Sequence, residues 1–577
     1  MEQRRAESDW VSHFADEVIA AGERRALGRP IVLASGLSPS GPIHLGNLRE
    51  VMTPHLVADE IRRRGLECVH ILSWDDYDRF RRVPADIDPS WSEHLGKPLT
   101  SVPAPSGSRY ANWANHYKAP MLGALAQLGV EFQEISQTER YTSGAYRAQI
   151  LLAMHERNRI GQVLQRYRTV VTSGAWNAGQ ADAPFQPELR TGQDEGGSRP
   201  MRENDGPASV GYCPYKPYCS ACERDLTTVT AYDDETTALD YTCMCGYAET
   251  VELSEHSRGK LVWKVDWPMR WAYEGVLFEP SGVDHQSPGS SYDVGTQLVR
   301  GVFGAEPPIG PMYAFVGSAG MSKMSSSKGG VPIPADALEI MEPQVLRWLY
   351  SRRRPQRSFT ITFDQEIHRL YDEWDAVGRS VADRTATAAT AAAYERAIST
   401  AAGRLPATPH PLPYRTLVSV VDISAGDPKQ ILRILGDLDP GTPLGGLDEV
   451  RPRLDRAQTW VKTQMPADQR TRVRDEPDLQ LIASLTSEES KSLQVLLDGL
   501  DDHWSLEGLT ALVYAVPKLQ AGLPPHAPPT AELKTLQRAF FALLYQLLVE
   551  RDTGPRLPTL LLAVGSPRVR ALLGSRR

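Results

Sequence analysis

Apolar residues recur at helical spacing in the first segment, MEQRRAESDWVSHFADEVIAAG, where Trp10, Phe14 and Val18 predict one face of an amphipathic helix. The pattern then shortens. PIVLAS, Pro30 to Ser35, is a β-rich apolar run followed by a Gly/Ser/Pro turn, and LGNLREVMTPHLVADEIRRRG returns to a helical period. CVHILSWDD, Cys68 to Asp76, reads as a second buried strand, so this stretch predicts the β-loop-α-β unit from which parallel sheets are built. A further helix and strand are expected in APMLGALAQLGVEFQEIS, and YRAQILLAMHERNRIGQVLQRY predicts one long helix. Residues 170–210 are rich in Gly, Pro, Gln and Asp and lead into a cysteine cluster, after which strand-like runs resume in KLVWKVDW, VLFEPSG and PMYAFVG. The sheet is therefore expected to be split by an insertion. DALEIMEPQVLRWLYSRRRP, after Gly330, predicts an amphipathic helix, and beyond the Pro-rich GRLPATPHPLPY the pattern is helical to the end, with a second break at AGLPPHAPPT.

At 577 residues the chain exceeds what one core supports, and several domains are expected. A net charge of -8, from 63 basic and 71 acidic residues, argues against indiscriminate nucleic-acid binding. The basic residues are nonetheless clustered at IRRRG (61–65), RFRR (79–82) and SRRRPQR (351–357), each of which reads first as a solvated helix face. The N-terminus carries no signal h-region, and no run approaches the roughly 20 apolar residues of a spanning helix. The expectation is a cytoplasmic protein that does not engage a membrane.

Five of the six cysteines, Cys213, Cys219, Cys222, Cys243 and Cys245, fall within 33 residues. Cys219-x-x-Cys222 and Cys243-x-Cys245 form two chelating corners separated by 20 residues, the spacing of a zinc ribbon whose four thiolates fill one tetrahedral site. Four protein ligands leave no open position for water, so a structural Zn²⁺ is expected. Cys213 either replaces one of the four or serves a second metal, and Cys68, in a predicted core strand, reads as an inert buried thiol.

PSGPIHLGN, Pro39 to Asn47, fits the first half of a P-loop, but Asn47 stands where such a loop needs lysine. Phosphate binding would then rest on backbone N–H groups at the helix start and on the His44 imidazole. Far downstream, GMSKMSSSKGG, Gly320 to Gly330, is a Gly/Ser loop carrying Lys323 and Lys328, suited to closing over a developing pentavalent phosphate.

This pair, in this order across an interrupted sheet, resembles the HIGH and KMSKS signatures of class I aminoacyl-tRNA synthetases, standing here as His44-Leu45-Gly46-Asn47 and Lys323-Met324-Ser325-Ser326-Ser327. Together with WVSHFADEV, SWDDYDRFRRVP, DWPMRWAYEG and SGVDH…GSSYDVG, it is similar to the class I lysyl-tRNA synthetase family over most of residues 10–375. The chain departs from the signatures at Asn47 and at Ser326, and both departures are usual within that family.

The resemblance implies an α/β fold. A Rossmann-like catalytic domain with a parallel sheet (1–170 and 258–332) would be split by a zinc-ribbon insertion (171–257), followed by a stem-contact region (333–402) and a helical anticodon-binding domain (403–577). It implies ATP-dependent activation of L-lysine to lysyl-adenylate and transfer to the 3' end of tRNA(Lys), with Mg²⁺ accompanying ATP. His44, Asn47 and Lys323 would be catalytic. Pro39, Ser40, Gly41, Gly46, Gly282, Asp284, Met324, Ser325, Ser326 and Lys328 would join them around ATP. Gly36, Ser38, Trp263, His285 and Tyr313 would hold lysine, the aromatic groups walling its apolar stem. A buried ammonium also needs an acidic or polar partner, for which Asp75, Asp76 and Asp266, placed on predicted strand ends, are the candidates. LRWLYSRRRPQR would set arginines against tRNA phosphates. A monomer is favoured.

The rival enzyme is a glutamyl-type class I synthetase, which would place an arginine where Ala34 stands. A non-catalytic tRNA-binding paralogue would have lost His44 or Lys323, and a P-loop NTPase would have the missing lysine.

Overall fold

The structure is a computed structural model, and it describes residues 9–26, 28–84, 87–173, 211–318, 331–438, 444–528 and 530–574. The chain divides into two compact units, one drawn from residues 1–337, 346–361 and 386–405, the other from 338–345, 362–385 and 406–577.

The first unit runs in order through α1 (Trp10–Arg25), β1 (Ile31–Leu37), α2 (Leu45–Arg63), β2 (Cys68–Trp74), α3 (Trp113–Gln127), β3 (Gln133–Ser136), α4 (Arg147–His155) and α5 (Arg157–Ser173). It continues with β4 (Tyr215–Pro217), β5 (Thr227–Tyr232), β6 (Ala238–Cys243), β7 (Ala248–Glu252), β8 (Gly259–Leu261), α6 (Trp263–Glu274), β9 (Val276–Phe278), β10 (Ser281–Gly282), α7 (Ser291–Gly301), β11 (Met312–Tyr313), β12 (Val316–Ser318) and, later, β13 (Phe359–Ile361). The main sheet is parallel throughout, in the order β3-β2-β1-β9. Two short parallel pairs, β10 with β11 and β12 with β13, follow it. Between the two sequence halves of this sheet lies the insertion, an antiparallel β5-β6-β7 meander standing on the antiparallel pair β4-β8.

Helix α2 is the centre of the unit. Leu45, Leu48, Val51, Met52, Leu56, Val57, Ala58 and Ile61 are all fully buried, which places apolar contact on nearly every face. Most of its buried polar side chains are hydrogen-bonded, the His55 Nδ1 being an exception. Arg49 donates to the carbonyls of Ala314, Arg354 and Arg357, His55 accepts from Arg347 Nη1 at 3.0 Å, and Asp59 accepts from Arg63 and from Ala401 N. The IRRRG cluster that closes this helix keeps Arg63 and Arg64 exposed, as expected of a solvated face, and its charges are paired there, with Arg62 on the Cys68 carbonyl, Arg63 on Asp59 and Arg64 on Glu60 and Asp16. Arg347, within LRWLYSRRRPQR, is fully buried and donates to the carbonyls of Leu128 and Arg396, so this arginine of the expected phosphate-contact segment is a core residue.

Four pattern readings are corrected. The expected long helix breaks at Glu156 into α4 and α5. In KLVWKVDW only Gly259–Leu261 is strand, because Trp263, Trp267 and Trp271 repeat every four residues along one helix face, and α6 ends on Gly275 in the left-handed region at φ 68°. Asp266 therefore lies on a helix, not at a strand end. The segment after Gly330 is two helices, Pro334–Ile340 and Pro343–Ser351, each opened by a proline whose missing N–H costs nothing there.

In the second unit every element lying within 406–577 is helical among the described residues. One polar knot lies in its interior. Arg453 donates to Glu342 (2.8 Å) and Asp375 (2.9 Å) and lies over the Tyr371 ring, which stacks on Tyr414 at 4.1 Å. Leu496, Leu500, Leu509, Val513, Leu544, Leu547, Leu560 and Leu561 belong to a separate apolar core. Among the described residues no helix is long and apolar enough to cross a membrane.

Removing Arg453 deprives the buried Glu342 and the half-buried Asp375 of their cation, so Arg453→Ala is expected to cost about 3–5 kcal/mol. Urea denaturation read with amide exchange should show that loss in the helices of this unit, and an unchanged midpoint would contradict the assignment.

Candidate active site

β1 is the strand at which the sheet changes direction of growth, β2 lying on one side and β9 on the other. Ligands of open α/β sheets bind outside the carboxyl ends of the strands at such a point. A cavity of about 1090 Å³ lies there, lined by Ala34 to Ser38 of β1 and its loop, Ser73 of β2 and Asp75 after it, Ile135 of β3, and Val276 and Glu279 at β9. Of the residues expected to hold ligands, Gly36, Ser38, Ser40, Asn47, Trp263 and His285 line it. Ala34 does too, which leaves the position of the rival enzyme's arginine occupied by a methyl group.

The loop carrying Pro39, Ser40 and Gly41 is pinned by the Trp113 indole, which donates to the Ser40 carbonyl at 3.2 Å. His44 is the N-cap of α2, and the Asn47 side chain reaches back to accept from its backbone N–H at 3.2 Å. A Cβ at Gly46 would stand 2.9 Å from the His44 ring, so glycine is what lets the imidazole lie over the first helical turn. Lys323, Met324, Ser325, Ser326 and Lys328 lie outside the described residues. The chain on either side of them comes to this same helix start: the Pro332 carbonyl accepts from Leu45 N at 3.0 Å, and the Val316 carbonyl lies 3.8 Å from where a Gly46 Cβ would be. At the other rim a Cβ on Gly282 would meet the Asp284 carboxylate at 2.5 Å, so glycine allows that carboxylate to fold against the backbone.

The charges of the cavity sort into committed and uncommitted groups. Arg270 donates to Asp75 at 2.7 Å and to Asp266, while Lys260 bonds Asp78 and lies 3.5 Å from Asp266. Asp266 accepts in addition from the Tyr141 hydroxyl at 2.5 Å. Asp76 is saturated by Lys118 (2.6 Å), Ser136 and Thr138. Of the three candidate ammonium partners, Asp76 and Asp266 are therefore spent on structure, and Asp75 shares Arg270.

Two carboxylates missed by sequence reasoning are differently placed. Glu50, one turn after Asn47, accepts among the described residues only from the Tyr313 hydroxyl, at 3.0 Å. Glu279 accepts from the indole N–H groups of Trp267 (3.0 Å) and Trp271 (2.6 Å). Among the described residues neither has a cationic nitrogen within ion-pair distance. Burial pushes the Glu50 carboxyl up to about 8 and that of Glu279 up to about 7. Their signal was available: each is a lone carboxylate beside an apolar run, in LGNLREVM and VLFEPSG.

Aromatic groups wall the same space. Trp263 stacks on Trp267 with ring centroids 5.2 Å apart, and His285 sits edge-on to Trp267 at 5.8 Å. Tyr313, buried, reaches the site through its hydroxyl on Glu50.

In the insertion, Cys219, Cys222, Cys243 and Cys245 bring their sulfurs within 4.8 Å of one another, with 3.8 Å between Cys219 and Cys245 and 3.6 Å between Cys222 and Cys243. Sulfurs about 2.3 Å from a tetrahedral zinc stand about 3.8 Å apart, so the donor set fits that ion. Cys213 is elsewhere, its thiol 3.3 Å from the Tyr215 carbonyl and 3.8 Å from Met154 sulfur. The Cys68 thiol, buried, is pushed up to about 12.

The family described as "tRNA synthetases class I (K)" matches residues 8–402. The chain is 65% identical over 98% of both lengths to a lysine–tRNA ligase of Streptomyces coelicolor. It is 30% identical to one of Pyrococcus horikoshii over 96% of both, and 29% identical to one of Treponema pallidum over 98% of both. Among solved structures, a glutamate tRNA ligase from Elizabethkingia meningosepticum overlaps 94% of this chain and 98% of its own at 11% identity and a TM-score of 0.37, too remote to carry an argument.

Proposed function

The chain belongs to the class I (K) tRNA synthetases, and on that premise we propose that it is a lysine–tRNA ligase, joining L-lysine to tRNA(Lys) at the expense of ATP. The observation that carries the substrate is electrostatic. The cavity holds two buried carboxylates that have no cation within ion-pair distance among the described residues, and lysine brings two ammonium groups. An acidic amino acid would bury like charge against both.

In the first step the lysine carboxylate attacks the α-phosphorus of ATP, forming the P–O bond of lysyl-adenylate as pyrophosphate leaves. In the second, a hydroxyl of the terminal tRNA ribose takes the lysyl group and AMP departs. Neither step asks much acid-base chemistry of the protein, so alignment and charge stabilisation supply the rate. His44 and Asn47, at the N-terminus of α2, stand where backbone N–H groups favour phosphate, with Pro39, Ser40, Gly41 and Gly46 around them. Lys323 and Lys328, with Met324, Ser325 and Ser326, deliver positive charge to the leaving pyrophosphate, and Mg²⁺ enters with ATP. Gly282 and Asp284 take the adenylate ribose. Gly36, Ser38, Trp263, His285 and Tyr313 hold lysine, with Glu50 as the ionic partner beside Tyr313.

The four cysteines hold a structural zinc in a ribbon. That ribbon is docked on the catalytic unit through the Tyr218 hydroxyl, which donates to the Tyr77 carbonyl at 2.6 Å. The segment 333–402 contacts the tRNA stem, the helices of 403–577 read the anticodon, and the enzyme works in the cytoplasm.

Pyrophosphate exchange with each amino acid, run in the presence of tRNA, is expected to proceed with lysine alone; robust exchange with glutamate or arginine would overturn the assignment. Elemental analysis should find one zinc per chain, and Cys222→Ala should lose both the metal and the protease resistance of the insertion. A metal-free, protease-resistant wild type would contradict the structural site.

A further inference from the structure

We infer that Glu279 is a specificity-determining residue of the amino-acid cavity, supplying the negative field that selects a cationic side chain while its two oxygens hold the indole wall in place. The inference rests on the reading of the cavity as a lysine site.

Glu279 directly follows β9, the strand beside β1, and its backbone N–H is fixed on the Ile309 carbonyl at 3.1 Å. Its side chain is only 7% exposed yet lines the cavity with Glu50. Both oxygens are engaged by neutral donors, Oε1 by Trp267 and Oε2 by Trp271. Trp267 is the ring on which Trp263 stacks and to which His285 and Tyr292 turn their edges, at 5.8 and 5.9 Å. A shift of this carboxylate would therefore move two side chains expected at the lysine stem.

Holding indoles does not by itself require a charge, since a neutral acceptor would serve. A buried carboxylate costs stability unless a cation compensates it or it takes up a proton. The cation whose charge is felt at Glu279, Arg270, is already divided between Asp75 and Asp266 and sits over the Trp263 ring at 5.7 Å. The pressure of burial is visible in the Glu279 carboxyl, which is raised to about 7. With Glu50 in the same state, the cavity lacks a cation at two places among the described residues, and the field of both carboxylates favours a cationic side chain entering it.

Glu279→Gln removes the charge and keeps one acceptor oxygen, while Glu279→Asp keeps the charge on a shorter arm. Exchange assays with lysine and with norleucine, which lacks the ε-ammonium, separate field from shape. In Glu279→Gln the lysine KM is expected to rise at least tenfold with kcat within about threefold and the ATP KM unchanged, and the lysine-over-norleucine preference in kcat/KM to fall at least tenfold. Glu279→Asp should retain more of that preference than Glu279→Gln. A Gln variant with unchanged lysine KM, one with undiminished preference, or an Asp variant with no more preference than Gln would overturn the inference. A wild type that activates another amino acid instead of lysine overturns the underlying reading, and so is distinguishable from these outcomes.

Discussion

A carboxylate withdrawn from water must find a cation, gather hydrogen bonds or take up a proton, and this constraint organises the catalytic unit. Asp75, Asp76, Asp78 and Asp266 find cations in Arg270, Lys118 and Lys260, and those pairs tie β2, α3, β8 and α6 together behind the cavity. Among the described residues Glu50 and Glu279 do not. They face the cavity with a tyrosine hydroxyl and two indoles for company.

The same network explains why the insertion is more than an appendage. Lys260 lies on β8, where the insertion returns to the sheet, and its ammonium bridges Asp78 and Asp266. Tyr218, next to the first cysteine of the cluster, bonds the backbone between Asp76 and Asp78. The four-cysteine insertion thus buttresses the loop that carries Asp75, the partner of Arg270, linking the cysteine cluster to the geometry of the pocket.

Much of this was legible in the chain. The β-loop-α-β unit and the four-cysteine spacing follow from local pattern, because strand ends and helix starts are set by neighbouring residues, while Gly36, Ser38, Asn47, Trp263 and His285, named from the family resemblance, lie on the cavity wall. What escaped depends on long-range pairing. Asp76 and Asp266 looked equivalent to Asp75 until Lys118 and Tyr141, distant in sequence, were seen to occupy them. Arg347 looked like a surface cation until its carbonyl acceptors placed it in the core. Glu50 and Glu279 became visible as ligand groups only when the absence of partners among the described residues could be seen in space.

Burial raises both carboxyls, so at neutral pH they hold protons until a cation arrives. Their raised values mean that the folded chain keeps protons which the unfolded chain gives up above about 4.5, so their contribution to stability is present at low pH and is lost as pH rises through about 7 and 8. A bound cation favours the ionised forms and so expels the protons. Calorimetric titration of lysine at pH 7, repeated in buffers of different ionisation enthalpy, should therefore report release of roughly one to one and a half protons per lysine, falling sharply by pH 9. Binding without proton release at pH 7 would contradict the account.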